Sequence, residues 1–123
     1  MRNILFILAL LFTFNFASAQ AEKKANKVVA EKFDKLYNKG AYDSIYAMYS
    51  PDMKKMISIE ENRAFLQGVK DKNGNIKKRE FKKYLRTYAF YKAIFEKSVI
   101  SLKISIDDRS MINGLLVNPY GDN

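Results

Sequence analysis

The chain has 123 residues, with 22 lysines and arginines against 13 aspartates and glutamates, and it contains no cysteine or histidine. This length fits a single domain, and the missing residue types exclude disulfides, cysteine or histidine metal sites and catalytic triads that use histidine. The lysines are spread from Lys23 to Lys103 rather than gathered in one motif. The positive charge therefore predicts solvated faces, or attraction to anionic envelope surfaces, and no nucleic-acid partner.

Residues 1–19 are typical of a secretory signal peptide. Arg2 supplies the positive charge, Ile4 to Phe16 form an apolar run, and Ala17-Ser18-Ala19 is a small-residue cleavage site. The run is shorter than the stretch of about 20 apolar residues that crosses a bilayer, so we do not expect a membrane anchor. We expect export to the periplasm or the medium after cleavage near Ala19, leaving a single domain over residues 20–123 without a membrane span.

Two helices are predicted at the start of this domain. The first runs from about Glu22 to Lys39, and Gly40 ends it because glycine accepts the left-handed conformation that follows many helices. The second runs from Tyr42 to Tyr49. The inward residues of both recur at helical spacing: Val29, Phe33, Leu36, Tyr37, Ile45, Met48 and Tyr49.

Two further helices are predicted from their capping residues. Ser50-Pro51 places a capping serine before a proline suited to the first helical position, which predicts a turn of helix from Asp52 to Met56. Ser58-Ile59-Glu60-Glu61 is a capping box, so another helix should begin at Ile59 and end near Asn73-Gly74. Its inward residues would be Phe65, Leu66 and Val69.

The second half of the chain predicts β-structure. Ser98 to Ile106 alternates apolar and polar residues, which is the period of a strand buried on one face. Ala89 to Lys97 is a strand before it, and Met111 to Val117 is a strand after the turn Asp107-Asp108-Arg109-Ser110. Asn113-Gly114 could itself form a hairpin turn, but it would leave too short a partner strand. Gly114 is therefore interpreted as a bulge or a close packing point.

The segment from Ile76 to Tyr88 is ambiguous by pattern alone. Its larger apolar residues fit a helix, and neither face of a strand would be cleanly apolar. With either assignment, helices precede an antiparallel meander. This order predicts an α+β fold with the helices packed on one face of a curved sheet.

No catalytic constellation is found. Asp71 to Asn75 resembles the start of a calcium loop, but Ile76 and Lys82 stand where the loop needs a glycine and a bidentate glutamate. The chain has no Ser-x-x-Lys motif and no glycine-rich phosphate loop. Asp107 and Asp108 lie in a predicted turn, where solvent would keep both ionised. We therefore expect no enzyme activity, no cofactor and no metal.

Tyrosines are the remaining candidates for a binding site. Tyrosine has an apolar body and one polar group, which suits a cavity between helices and sheet. The alternative is that these residues pack the core and send their hydroxyls to its rim. The candidate ligand-binding residues are Tyr37, Tyr49, Tyr84, Tyr88 and Tyr91.

Five stretches resemble a known domain of unknown function that precedes beta-lactamase-type serine hydrolases in exported proteins of Bacteroidetes-like bacteria. They are Asn38 to Tyr49, Ser50 to Lys55, Tyr91 to Lys97, Leu102 to Asp107, and Ile112 to Leu115 with Pro119-Tyr120. The resemblance implies a cone-like fold of the nuclear-transport-factor-two-like or cystatin-like type. In that fold helices cross a curved four-stranded antiparallel sheet over a cavity, and Ile76 to Tyr88 is a strand.

These observations together predict an exported, non-catalytic binding or accessory module. Its ligand would be a small molecule, an envelope glycan or a partner protein held in the cavity between helices and sheet. One alternative is an accessory domain that docks to, or is detached from, a beta-lactamase-type serine hydrolase. Another is a small-molecule enzyme that uses a buried carboxylate and a tyrosine in the cavity.

Overall fold

A computed structural model describes residues 21–121, and in it helices precede strands along the chain. The predicted signal peptide lies outside the described residues. Within 21–121 no helix is both long and apolar enough to span a membrane. The elements are α1 Lys24–Asn38, α2 Tyr42–Tyr46, α3 Pro51–Met56, α4 Ile59–Asn73, β1 Ile76–Leu85, β2 Tyr88–Phe95, β3 Val99–Ile106 and β4 Ile112–Pro119.

The four strands form one antiparallel sheet in the order β1-β2-β3-β4. The helices cover one face of it, and alternate residues of each strand point into the core between the two layers. This arrangement confirms the predicted α+β fold. The side chains that fill the core and are no more than 2% exposed include Phe33, Tyr37, Ile45, Tyr49, Leu66, Tyr91, Leu102, Ile104 and Ile112.

The predicted caps form as expected. The Ser50 hydroxyl accepts a hydrogen bond from the Met53 amide at 3.2 Å, with Pro51 in the first turn of α3. Ser58 and Glu61 make the reciprocal capping box, at 2.8 Å from the Ser58 amide and 3.1 Å to the Ser58 hydroxyl. Each cap satisfies backbone donors that a helix start leaves without partners.

Tertiary contacts change two of the helix predictions. α2 ends at Tyr46 rather than Tyr49, because the Ser50 amide donates to the Ile112 carbonyl and the Ile112 amide donates to the Met48 carbonyl. These two hydrogen bonds pair the backbone around Tyr49 with β4, so these residues cannot continue the helix. Phe65, predicted to face inward, is 38% exposed on α4.

Most of the ambiguous segment, Ile76–Leu85, is a strand at the sheet edge, as the resemblance implied, but the strand ends at a turn and Tyr88 begins β2. β1 pairs with β2, but the register shifts between Phe81 and Lys83. This irregularity interrupts the alternation of faces, and as a result the segment mimics a helical pattern. Gly114 is the predicted close packing point, since any Cβ there would collide with the Tyr88 ring.

Candidate functional site

A cavity of about 570 Å³ lies at the end of the sheet that carries the β1–β2 and β3–β4 turns. We call it the turn pocket. The start of α1 forms one wall and the two turns form the others. Its lining is polar and carries charges of both signs: Lys23, Ala25, Asn26, Tyr84, Arg86, Thr87, Ile106, Asp107, Asp108 and Ser110.

A short hydrogen-bonded chain joins α1 to the sheet at this pocket. The Lys23 amide donates to the Tyr84 hydroxyl at 2.8 Å, and that hydroxyl donates to Asn26 Oδ1 at 3.0 Å. The Lys23 ammonium also lies 5.5 Å from the centre of the Tyr84 ring. Tyr84 therefore orients the Asn26 amide and determines which of its two polar atoms remains available.

Asn26 lines the pocket and carries a buried donor. The residue is 5% exposed, and its Nδ2 has no hydrogen-bond partner within residues 21–121. A buried donor without an acceptor costs about 1–3 kcal/mol, so a ligand acceptor that reaches this nitrogen from the pocket would recover that energy. This is the strongest chemical preference that the pocket shows.

The start of α1 adds positive potential beside Asn26. No side chain caps this helix N-terminus, and its first turn contains no acidic residue. The dipole of a helix favours negative charge at its N-terminus, where amide groups point outward. Lys23 and Arg86 bring cationic side chains to the same pocket.

Both turns of the pocket contain a residue in a rare backbone conformation. Arg86 has φ 57° and Ser110 has φ 61°, and they are the two non-glycine residues with positive φ in the described part of the chain. Such residues cost free energy and concentrate at functional sites. Asp107 holds the second turn, because its Oδ1 accepts from the Arg109 and Met111 amides at 2.9 Å each.

The five predicted tyrosines do not share one cavity. Tyr37 and Tyr49 are each 1% exposed in the core, where their hydroxyls donate to the Gly74 carbonyl at 2.8 Å and to Asn62 Oδ1 at 2.6 Å. Burial raises the pKa of both phenols.

The other three lie in different surroundings. Tyr91 is also buried and donates to Glu22 at 2.6 Å, and its pKa is raised by burial and by that carboxylate. Tyr88 packs against Gly114 on the face of the sheet away from the helices. Tyr84 is the predicted tyrosine that lines the turn pocket.

Asn26 was not among the predicted site residues, although the sequence carried a signal for it. It lies three positions before Val29 and seven before Phe33, on the apolar face of α1. An amide at such a position must find partners inside the protein. That signal predicts a buried polar contact, but not which atom stays available.

The carboxylate of Asp34, on α1, is partly buried where the helix faces β1. Asp34 is hydrogen-bonded to Arg79, and burial raises its pKa to about 6 although Arg79 lowers it. Asp34 lines neither of the two larger cavities. Within 21–121 no three His, Cys, Asp or Glu residues form a group that could hold a metal ion.

A second cavity, of about 480 Å³, lies at the opposite end of the molecule. We call it the apolar groove. It runs between α4 and the ends of β3 and β4, and the exposed Phe65 and Val99 side chains stand at it. Two of its polar side chains are paired, since the Ser98 hydroxyl donates to Asn73 Oδ1 at 2.6 Å.

These features define a small α+β domain with helices on one face of an open antiparallel sheet and a polar pocket at one end. The chain belongs to the family described as Protein of unknown function (DUF3887), which matches residues 30–115. A search of curated proteins found no match, and a search of solved structures found none either.

Proposed function

We propose that this protein is an exported, non-catalytic binding module that holds a small polar ligand in the turn pocket. The observation that carries the proposal is the buried Asn26 Nδ2, which lacks an acceptor within residues 21–121. Export is supported by the signal-peptide pattern of residues 1–19. The cone-like fold implied by the resemblance is supported by the order of the elements and by the helices on one sheet face.

The pocket's charges define the ligand's chemistry. Lys23, Arg86 and the start of α1 favour a carboxylate or another anionic oxygen next to Asn26. Asp107 and Asp108, on the opposite turn, favour hydroxyl or amino donors. A volume of about 570 Å³ lies within the usual range for small-molecule sites. A sugar acid or an amino acid combines both kinds of group.

The test is an amide-proton NMR titration of the chain from Gln20 to Asn123 with glucuronate, galacturonate and glutamate. We expect at least one probe to shift the amides of the turn pocket. The Asn26→Asp variant keeps the oxygen that accepts from Tyr84 but loses the Nδ2 donor. The probe that binds the original protein should therefore bind this variant at least tenfold more weakly. Asn118→Asp makes the same chemical change at the other end of the sheet and should bind normally. Equal binding by both variants would contradict the role of Asn26.

The accessory role beside a serine hydrolase is the second candidate. The apolar groove favours it, because Phe65 and Val99 expose apolar surface where a partner segment could pack. Mixing the protein with a beta-lactamase-type hydrolase should then give a complex in size-exclusion chromatography that Phe65→Asp abolishes. The enzymatic alternative has less support, because it needs a buried carboxylate in the cavity: Asp34 is bound to Arg79 and lines neither larger cavity, and Asp107 and Asp108 lie on an exposed turn.

A further inference from the structure

The sheet face away from the helices, which we call the outer face, concentrates positive charge. The register of the strands places Lys83, Phe90, Lys103 and Leu116 in one row across it. The next row contains Glu80, Lys92, Ser101 and Asn118. Lys78, on β1, is the fourth lysine of the outer face, and its Nζ lies 3.5 Å from Glu80 Oε2. Four lysines thus share this face with one glutamate, so that its net charge is positive.

An aromatic pair occupies the centre of the outer face. Phe90 is 3% exposed although it points away from the core, because Tyr120 stacks on it with ring centres 6.2 Å apart. The Lys92 ammonium lies 5.3 Å from the centre of the Tyr120 ring, and the Lys103 ammonium lies 5.6 Å from that of Phe90. Rings and cations therefore form one continuous surface.

Exposed apolar side chains accompany this pair on the outer face. Leu116 is 43% exposed and Val99 is 40% exposed, and Tyr120 of the pair itself is 36% exposed. Aliphatic side chains next to lysines suit the boundary between lipid headgroups and acyl chains, where lysine stems cover apolar surface and their charges reach phosphates. A glycan would use the lysines and the tyrosine, but it would leave Leu116 and Val99 without a complementary surface.

We infer that the outer face binds an anionic bilayer surface. Lys78, Lys83, Lys92 and Lys103 attract the negative headgroups, and Leu116 and Tyr120 lie at headgroup level. Each lysine close to such a surface adds to the attraction, and salt screens it. This inference is independent of the turn pocket, which opens at the end of the sheet rather than on its outer face.

The experiment is cosedimentation of the chain from Gln20 to Asn123 with vesicles of phosphatidylethanolamine and phosphatidylglycerol. The helices, the sheet and their core all lie within this part of the chain, and omitting residues 1–19 removes their apolar run from the assay. We expect binding to these vesicles at low salt, little binding to phosphatidylcholine vesicles, and release by added salt.

Two matched variants separate the outer face from net charge. Lys83→Glu with Lys103→Glu should weaken binding at least tenfold, whereas Lys32→Glu with Lys35→Glu makes the same charge change on exposed positions of α1 and should bind within about twofold of the original protein. Leu116→Ser tests the apolar contact with no change in charge and should weaken binding several-fold. Circular dichroism must show that each variant is folded.

Four results would overturn the inference. The original protein could fail to bind anionic vesicles, the α1 pair could lose as much binding as the outer-face pair, or vesicle binding could be unaffected by Leu116→Ser. Tighter binding to soluble polygalacturonate than to vesicles would also reject the lipid surface, in favour of an acidic glycan.

Discussion

Replacing Arg79 by methionine is expected to destabilise the protein by about 3 kcal/mol, because it removes one partner of a buried ion pair. The Arg79 side chain is 9% exposed and that of Asp34 is 21% exposed. Arg79 also donates to the Ala30 carbonyl at 3.2 Å and lies 5.0 Å from the centre of the Tyr91 ring. Methionine keeps much of the apolar packing but leaves the Asp34 carboxylate without its donor.

The matched control is Arg63→Met. Arg63 makes two hydrogen bonds of 2.7 Å to Asp43, but these side chains are 52% and 53% exposed. Exposed ion pairs contribute little to stability because water and salt screen them, so this variant should unfold at nearly the original urea midpoint. Urea unfolding of the two variants measures the difference directly. Equal losses in the two variants would show that burial of the Arg79 pair does not determine its contribution.

The free energy of unfolding that Arg79→Met removes should depend on pH. Burial holds the Asp34 pKa at about 6 in the folded protein, against 3.8 for a free aspartate. The folded form therefore binds the proton more tightly, and the stability due to Asp34 is fully present below about pH 4 and lost as pH rises through 6. Arg79 lowers the Asp34 pKa, so removing Arg79 should raise that pKa further. The free energy lost on substitution should thus be larger at pH 7 than at pH 4.5, and the reverse order would contradict this assignment.

Replacing Gly74 by alanine should also cost about 3 kcal/mol. Gly74 has φ 82° and ψ −159°, a region that essentially only glycine adopts. A Cβ there would lie 2.6 Å from Glu96 Oε1 and 2.9 Å from Glu96 Cβ, so a rotation of the carboxylate alone cannot relieve the collision. Glu96 Oε1 accepts from the Asn75 amide at 2.6 Å, and moving Glu96 breaks this bond between the α4–β1 connection and the β2–β3 turn.

Gly68→Ala provides the control in the same helix. Gly68 lies inside α4, and nothing would come within 4 Å of an added Cβ. Alanine is the better helix former, so this variant should be more stable than the original protein by about 0.5–1 kcal/mol. The two glycine substitutions are thus expected to change the urea midpoint in opposite directions. A loss of stability in both would contradict the conformational argument.

Much of the fold could be predicted from the sequence because its signals are local. The Ser58–Glu61 capping box spans one turn of helix, and the alternation along β3 depends only on the period of a strand. Such signals keep their meaning wherever the segment packs. The α+β order of elements follows from them directly.

The site could not be predicted in the same way. All five tyrosines are suitable for a pocket by residue type. In the structure, the strand register puts Tyr88 on the outer face, whereas Tyr37, Tyr49 and Tyr91 are buried in the core. Asn26 is a candidate because the hydroxyl of Tyr84, 58 residues away, donates to its Oδ1. The Asn26 Nδ2 is then left without a partner within residues 21–121. Which atom of the amide stays available depends on that distant contact.

The sequence alone thus determined the caps of α3 and α4 and the strand character of β3, since capping and alternation act between residues a few positions apart. Only the tertiary structure decided that Tyr49 leaves its helix to bridge Ile112, that Arg79 pairs with Asp34 across 45 residues, and that the outer face unites lysines from three strands. The physical reason is that burial and pairing partners are properties of the assembled layers, which residue spacing along the chain does not contain.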